Sequence, residues 1–157
     1  MWLSADEQRV WRNYLAMTSR LQSAMSRQLQ DDCGLSLADY DVLVALDGRA
    51  REEQSGQEPG CRIAELGERL GWEQSRLSHQ LSRMRARGLV ARRGAADDRR
   101  AATVDLTADG RAALTSAAPG HAELIRNVVF EGTSAAQLRA LDRWTSQVLA
   151  RLGQSPA

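Results

Sequence analysis

The chain contains no lysine: all 21 of its basic residues are arginine, and proline (3), cysteine (2), histidine (2) and aromatic residues (4%) are sparse. Each shortage excludes something. Cys33 and Cys61 have no paired spacing, so neither a disulfide framework nor a cysteine-based zinc site is expected, and both are read as reduced thiols. The histidines fall in different segments, and there is no nucleophile elbow, phosphate loop or metal-ligand spacing. No enzymatic activity, metal or cofactor is therefore expected. No apolar run approaches the ~20 residues that span a bilayer, and the opening MWLSADEQRV lacks a basic region followed by an apolar one. A cytoplasmic protein with no membrane partner is the expectation.

What is present is an ordinary globular composition with uneven charge. The 157 residues, 43% hydrophobic and 26% charged, suffice for one domain with a real core, or for a compact lobe joined to an association lobe. Net charge is only +1, yet residues 74–100 hold eight arginines against two acids, leaving 13 arginines against 18 acids elsewhere. This segregation places a positive field on one part of an otherwise acidic body, as a phosphate-binding surface requires. Arginine there can make bidentate and groove-inserting contacts.

Periodicity and punctuation divide the chain. Ser4 and Glu7 form a capping-box pattern that opens a long helix over residues 5–31, with Val10, Trp11, Tyr14, Leu15, Met17, Leu21, Met25 and Leu29 spread over more than one stripe. Gly34 stops it, and Ser36 to Asp39 cap a second helix running to about residue 47. Residues 49–60 are polar and aperiodic and read as a loop. Ile63, Leu66 and Leu70 define a short helix ended by Gly71; Leu77, Leu81 and Met84 define another, from about Gln74 to just before Gly88. Helix, three-residue turn, helix is helix-turn-helix spacing. Two strand-like runs, 89–93 and 101–106, joined by an arginine-bearing loop, would form a wing. Thr107 caps a further helix, interrupted or bent at Pro119-Gly120, and Ser134 with Gln137 opens a last one carrying Leu138, Leu141, Trp144, Val148 and Leu152.

With Leu77, Leu81 and Met84 turned to the core, Arg76, His79, Gln80, Arg83 and Arg87 are expected on the solvated side of that helix, with Ser75 and Ser78 beside them. A helix of this width fits the major groove of B-DNA, where arginine can pair with guanine and serine and histidine offer shorter donors. A merely solvated arginine face would show the same charge pattern; its coincidence with the turn and the wing favours DNA. The candidate major-groove residues are Ser75, Arg76, Ser78, His79 and Arg83. In the wing loop, Asp98, Arg99 and Arg100 are the candidates, a carboxylate holding an arginine ready for a narrow minor groove.

These residues carry a family resemblance. The run from Ile63 to Leu70, then Ser75 to Ser78, Arg87 to Val90, Asp98 to Arg100, and Leu106, Thr107 and Gly110 resemble the multiple antibiotic resistance regulator (MarR) family, most specifically in the Asp-x-Arg of the wing. The resemblance covers the chain in element order. His79 departs from it, standing where members often have arginine, and residues 49–60 form a longer connection than usual. The resemblance implies a mainly α (α+β) winged helix-turn-helix fold with long N- and C-terminal dimerisation helices, and a homodimer on a pseudo-palindromic operator in double-stranded DNA. It further implies that Arg100 enters the minor groove with Asp98 orienting it. The DNA-binding lobe would be residues 36–107, and the discontinuous association lobe residues 1–35 and 108–157.

By the same resemblance the protein would be a transcriptional repressor released by a small aromatic or phenolic effector bound between the lobes, with Trp11, Tyr14, Tyr40 and His121 as candidates to line the cleft. A thiol-based redox regulator using Cys33 or Cys61, and an architectural winged-helix protein without a ligand, are the alternatives.

Overall fold

The computed structural model describes residues 2–53, 61–94 and 102–153, and within residues 49–53 the backbone alone. The chain divides into two compact units, Met1–His121 and Ala122–Ala157.

The first unit begins with α1 (Ala5–Cys33), whose N-terminus has the expected reciprocal cap: the Ser4 hydroxyl accepts from the Glu7 amide and the Glu7 carboxylate accepts from the Ser4 amide. Gly34, in the left-handed region at φ 64°, ends it. Only Leu29 of this 29-residue helix is buried. Next come α2 (Leu37–Glu53), the two-residue strand β1 (Cys61–Arg62), α3 (Ile63–Leu70), α4 (Gln74–Ala86), β2 (Val90–Arg93), β3 (Thr103–Leu106) and α5 (Ala108–Ile125).

One core joins these elements. Val42, Leu43 and Leu46 of α2 meet Leu66 of α3, Leu77 and Met84 of α4, and Val90, Val104 and Leu106 of the sheet. Each such side chain contributes roughly 1.5–3 kcal/mol by leaving water. The sheet is antiparallel in the order β1-β3-β2, with Val90 opposite Leu106 and Cys61 opposite Val104. β1 was not anticipated, because two residues carry no alternation to read. The second helix also outruns its expected end at residue 47, continuing to Glu53. The run Arg-Ala-Arg-Glu-Glu is rich in helix formers, and its lack of apolar period does not make it a loop. Residues 54–60 lie outside the described residues. α5 runs through Pro119 without interruption, and at Gly120 it passes so near α1 that a Cβ would lie 3.0 Å from the Gln28 amide nitrogen and 3.2 Å from an Asp32 oxygen.

The second unit starts in the last turn of α5. A single π-turn (Arg126–Phe130) follows, then Gly132 at φ 74° and α6 (Ala135–Gly153). Ser134 and Gln137 cap α6 reciprocally, as the sequence pattern predicts. No residue of α6 is buried, and Leu138, Leu141, Trp144, Leu149 and Leu152 are 42–68% exposed.

Candidate nucleic-acid interface

The helix-turn-helix is built by two glycines with different tasks. Gly71, at φ 62°, ends α3 and lets the Trp72 amide return to the Gly67 carbonyl at 3.0 Å. Gly67 lies close under the turn, where a Cβ would sit 3.4 Å from the Trp72 carbonyl oxygen and 3.6 Å from Leu77. α4 then enters with Leu77, Leu81 and Met84 buried, while Ser75, Arg76, Ser78, His79 and Arg83 are exposed. All five sequence-selected side chains of this helix are on its surface.

One neighbour differs from expectation, and a second is exposed as expected but tethered. Gln80 was placed on the solvated side but is 3% exposed. Its amide nitrogen donates to Asp39 Oδ1 at 2.6 Å. Arg87 bends back from the end of α4, its Nη1 2.7 Å from Asp39 Oδ2 and its Nη2 donating to the Gly34 carbonyl at 3.0 Å. A buried carboxylate at the start of α2 therefore draws Gln80 inward and tethers Arg87, which stays exposed, since an unpaired charge there would be costly. Burial raises the Asp39 pKa, but the Ser36 amide, the Arg87 guanidinium and the Ser36 hydroxyl outweigh it and leave the carboxyl below its ordinary value.

The exposed arginines are not equally free. The Arg76 guanidinium stacks over the Trp72 indole, 4.1 Å from the ring centroid, a cation–π contact that restrains its rotamer. Arg83 Nη2 donates to the Gln80 side-chain oxygen Oε1 at 2.5 Å. Ser78, Ser82, Arg85 and Arg92 rim an open cleft of about 150 Å³ between α4 and the sheet, floored by Ile63, Leu81, Val90 and Val104. On the wing stem, Arg93 Nε lies 3.0 Å from Asp105 Oδ2. Asp98, Arg99 and Arg100 lie outside the described residues.

The wing is seated by Thr107, whose hydroxyl donates to the Gly88 carbonyl at 2.6 Å and accepts from the Gly110 amide at 2.9 Å. One side chain thus caps α5 and ties it to the end of α4.

The four candidate effector residues form two pairs. Trp11 and Tyr14 stack on each other on α1, centroids 5.6 Å apart and planes 14° apart. Tyr40 and His121 make a tilted contact, centroids 4.4 Å apart. α1 meets α5 at Gln28, roughly 21 Å along the helix from Tyr14 at 1.5 Å per residue, so the first pair is remote from the second. Beside Tyr40, a cavity of about 440 Å³ opens between α2 and α5, lined also by Val44, Asp47, Arg111, Leu114 and Thr115. Burial lowers the His121 pKa and raises that of Asp41, each opposed by the charge of the other. Among the described residues, the buried His121 Nδ1 has no hydrogen-bond partner.

Trp72, Asp39 and the inward position of Gln80 were missed as parts of this site. Asp39 was legible as a cap, but nothing local indicates that it also receives a side chain 41 positions later. Among the described residues no cluster of histidine, cysteine, aspartate or glutamate could hold a metal ion, and no helix is long and apolar enough to cross a membrane.

A three-helix lobe with a helix-turn-helix and an antiparallel wing is a winged helix-turn-helix. A sequence profile of the MarR family matches residues 34–101. A MarR family transcriptional regulator from Streptomyces coelicolor, solved in complex with DNA, is 32% identical, with 99% of this chain and 96% of that one covered at a TM-score of 0.82. AbsC, a MarR family transcriptional regulator from the same organism, is 29% identical over 99% of both chains at a TM-score of 0.84. A MarR family regulator from Silicibacter pomeroyi is 26% identical over 90% of both, with a TM-score of 0.65. No match is found among the curated proteins. The chain belongs to the MarR family of transcriptional regulators.

Proposed function

We propose that this chain is a sequence-specific, DNA-binding transcriptional repressor that acts in the cytoplasm as a homodimer on a pseudo-palindromic operator and is released by a small aromatic or phenolic effector. The observation that carries the reading is α4: its apolar side is locked into the core while Ser75, Arg76, Ser78, His79 and Arg83 are exposed together. Such a helix can enter the major groove, and the excess of arginine over residues 74–100 supplies the phosphate attraction that brings it there. The DNA in the complex of the relative that is 32% identical supports the same reading. Asp98, Arg99 and Arg100 are assigned to the wing tip, with Arg100 in the minor groove.

Dimerisation is supported by apolar surface that the single chain leaves in water. Trp2, Val10, Trp11, Leu15 and Met17 are exposed at the N-terminal end, and Leu138, Leu141, Trp144, Leu149 and Leu152 on α6. Residues 1–35 and 108–157 are assigned to association and residues 36–107 to DNA. The two-fold axis then sets half-sites about one helical turn apart, or ~10 bp.

For the effector, Tyr40 and His121 are the better supported pair of candidates, since Tyr40 lines a cavity together with Arg111 and Thr115 and His121 packs against its ring. A differential affinity of only ~1–3 kcal/mol between DNA-competent and incompetent states is enough to release the operator. The thiol-based alternative loses Cys61, which is sealed in the core, and rests on the half-buried Cys33 alone.

Fluorescence anisotropy with duplexes enriched from a random pool tests the reading. A preferred palindrome bound with steep salt dependence is expected, with release on addition of phenolic or aromatic acids. Equal binding to all duplexes at physiological salt overturns sequence-specific regulation.

A further inference from the structure

We infer that Asp39 and Gln80 are positioning residues for Arg83, fixing the guanidinium on α4 from behind so that it meets a DNA base edge already oriented; this rests on the reading of α4 as the DNA-contacting helix. A capping-box carboxylate has finished its local task once it accepts from the amide of its own cap. Asp39 does this with Ser36 at 2.9 Å, yet it is also 3% exposed and receives Gln80 at 2.6 Å and Arg87 at 2.7 Å. The additional bonds connect the start of α2 to two turns of α4.

The chemistry of the two ends fixes the direction of the middle. An ionised carboxylate only accepts, so it must face the NH₂ of the Gln80 amide, and the amide oxygen is left pointing the other way. A guanidinium only donates, and Arg83 Nη2 lies 2.5 Å from that oxygen. Were the Gln80 amide turned over, oxygen would face oxygen at Asp39 and NH₂ would face guanidinium at Arg83. The amide therefore has one orientation, and the negative charge of Asp39 is presented to Arg83 as an aligned dipole. A guanidinium has five N–H donors, so the bond to Gln80 leaves others free for a base or phosphate. Rotamer freedom that an exposed arginine ordinarily loses on binding is in part already lost here.

A double-mutant cycle on the full chain tests this. Gln80→Met keeps the volume and the burial but removes both hydrogen bonds, and Arg83→Ala removes the group they act on. The readout is the affinity ratio between the duplex enriched by the wild-type chain and a scrambled duplex of equal length. Gln80→Met is expected to lower that ratio roughly five- to tenfold when Arg83 is present, and less than about twofold when it is Ala, the sign of coupled sites. An equal loss in both backgrounds, or no loss in the first, overturns the proposal.

Rotation of the Arg83 guanidinium, followed by nitrogen NMR without DNA, gives a second readout. It should be restricted in the wild type and freely averaged in Gln80→Met or, should that variant fail to fold, in Gln80→Leu. Unrestricted rotation in the wild type overturns the proposal. A wild type that prefers no duplex while Arg83 stays restricted marks failure of the DNA reading, and with it of the base-edge role, with the relay itself intact.

Discussion

Gly110 lies against the Leu89 backbone so closely that a Cβ on it would come within 2.0 Å of the Leu89 carbonyl oxygen. Both residues belong to the joint where the wing returns to the helices: the Leu89 carbonyl accepts from the Thr107 amide at 3.3 Å, and Gly110 is in the first turn of α5. Two effects oppose each other in Gly110→Ala. Alanine favours a helix interior over glycine by about 1 kcal/mol, whereas overpacking against backbone typically costs 1–3 kcal/mol and occasionally more. A contact at 2.0 Å with an atom that cannot swing away makes the second effect win. Gly110→Ala is expected to lower stability by about 2 kcal/mol or more in urea unfolding, where most glycine-to-alanine changes within helices stabilise.

DNA contacts should separate into two kinds. Arg76→Ala, which removes an arginine stacked on Trp72, should cost about 1–3 kcal/mol on the preferred duplex and flatten the preference between duplexes. Arg100→Ala should weaken all A·T-rich duplexes together and reduce the salt slope by about one. Anisotropy titrations across a salt series measure both quantities. Equal loss of preference in the two variants would contradict the division between groove-reading helix and wing.

The elements were legible where glycine and capping residues punctuate apolar periods. α3 runs from Ile63 to Leu70 and α4 from Gln74 to Ala86, close to the bounds the sequence suggests. Gln80 shows why the site was less legible than the fold. Its spacing from Leu77 and Met84, three and four positions away, puts it on the inward side, but its polarity argued for solvent. What decides the matter is Asp39 on another helix, and a single-sequence pattern carries no information about that meeting. The stacking of Arg76 on Trp72 was hidden for a simpler reason: Trp72 is in the turn, where no periodicity assigns a face.

Association through the exposed apolar residues gives a direct prediction. Leu141→Arg on α6, or Leu15→Glu on α1, places a charge at a position 42% or 47% exposed in the single chain, so the monomer fold should tolerate it. A charge trapped in a dimer interface is expensive unless paired. Light scattering after size exclusion should show a shift from twice the 17.3 kDa chain mass toward the monomer, with loss of the palindrome preference that two linked half-sites confer.

Stability should also depend on pH through His121. Burial holds its pKa below the ordinary 6.5, outweighing the opposing charge of Asp41, and among the described residues the buried Nδ1 has no hydrogen-bond partner. As pH falls through about 6.5, the unfolded chain takes up a proton before the folded one does, so stability falls with falling pH until the lower folded value is passed. Asp41 acts with the opposite sign: burial raises its pKa above 3.8, so the folded chain takes up that proton first and stability is regained as pH falls through the folded value. The opposite signs distinguish the groups. Urea unfolding between about pH 7.5 and 5.5 should show wild-type stability declining, and His121→Phe, which keeps a ring against Tyr40 but cannot take a proton, should remove most of that slope. A slope unchanged in His121→Phe would assign the dependence to another group.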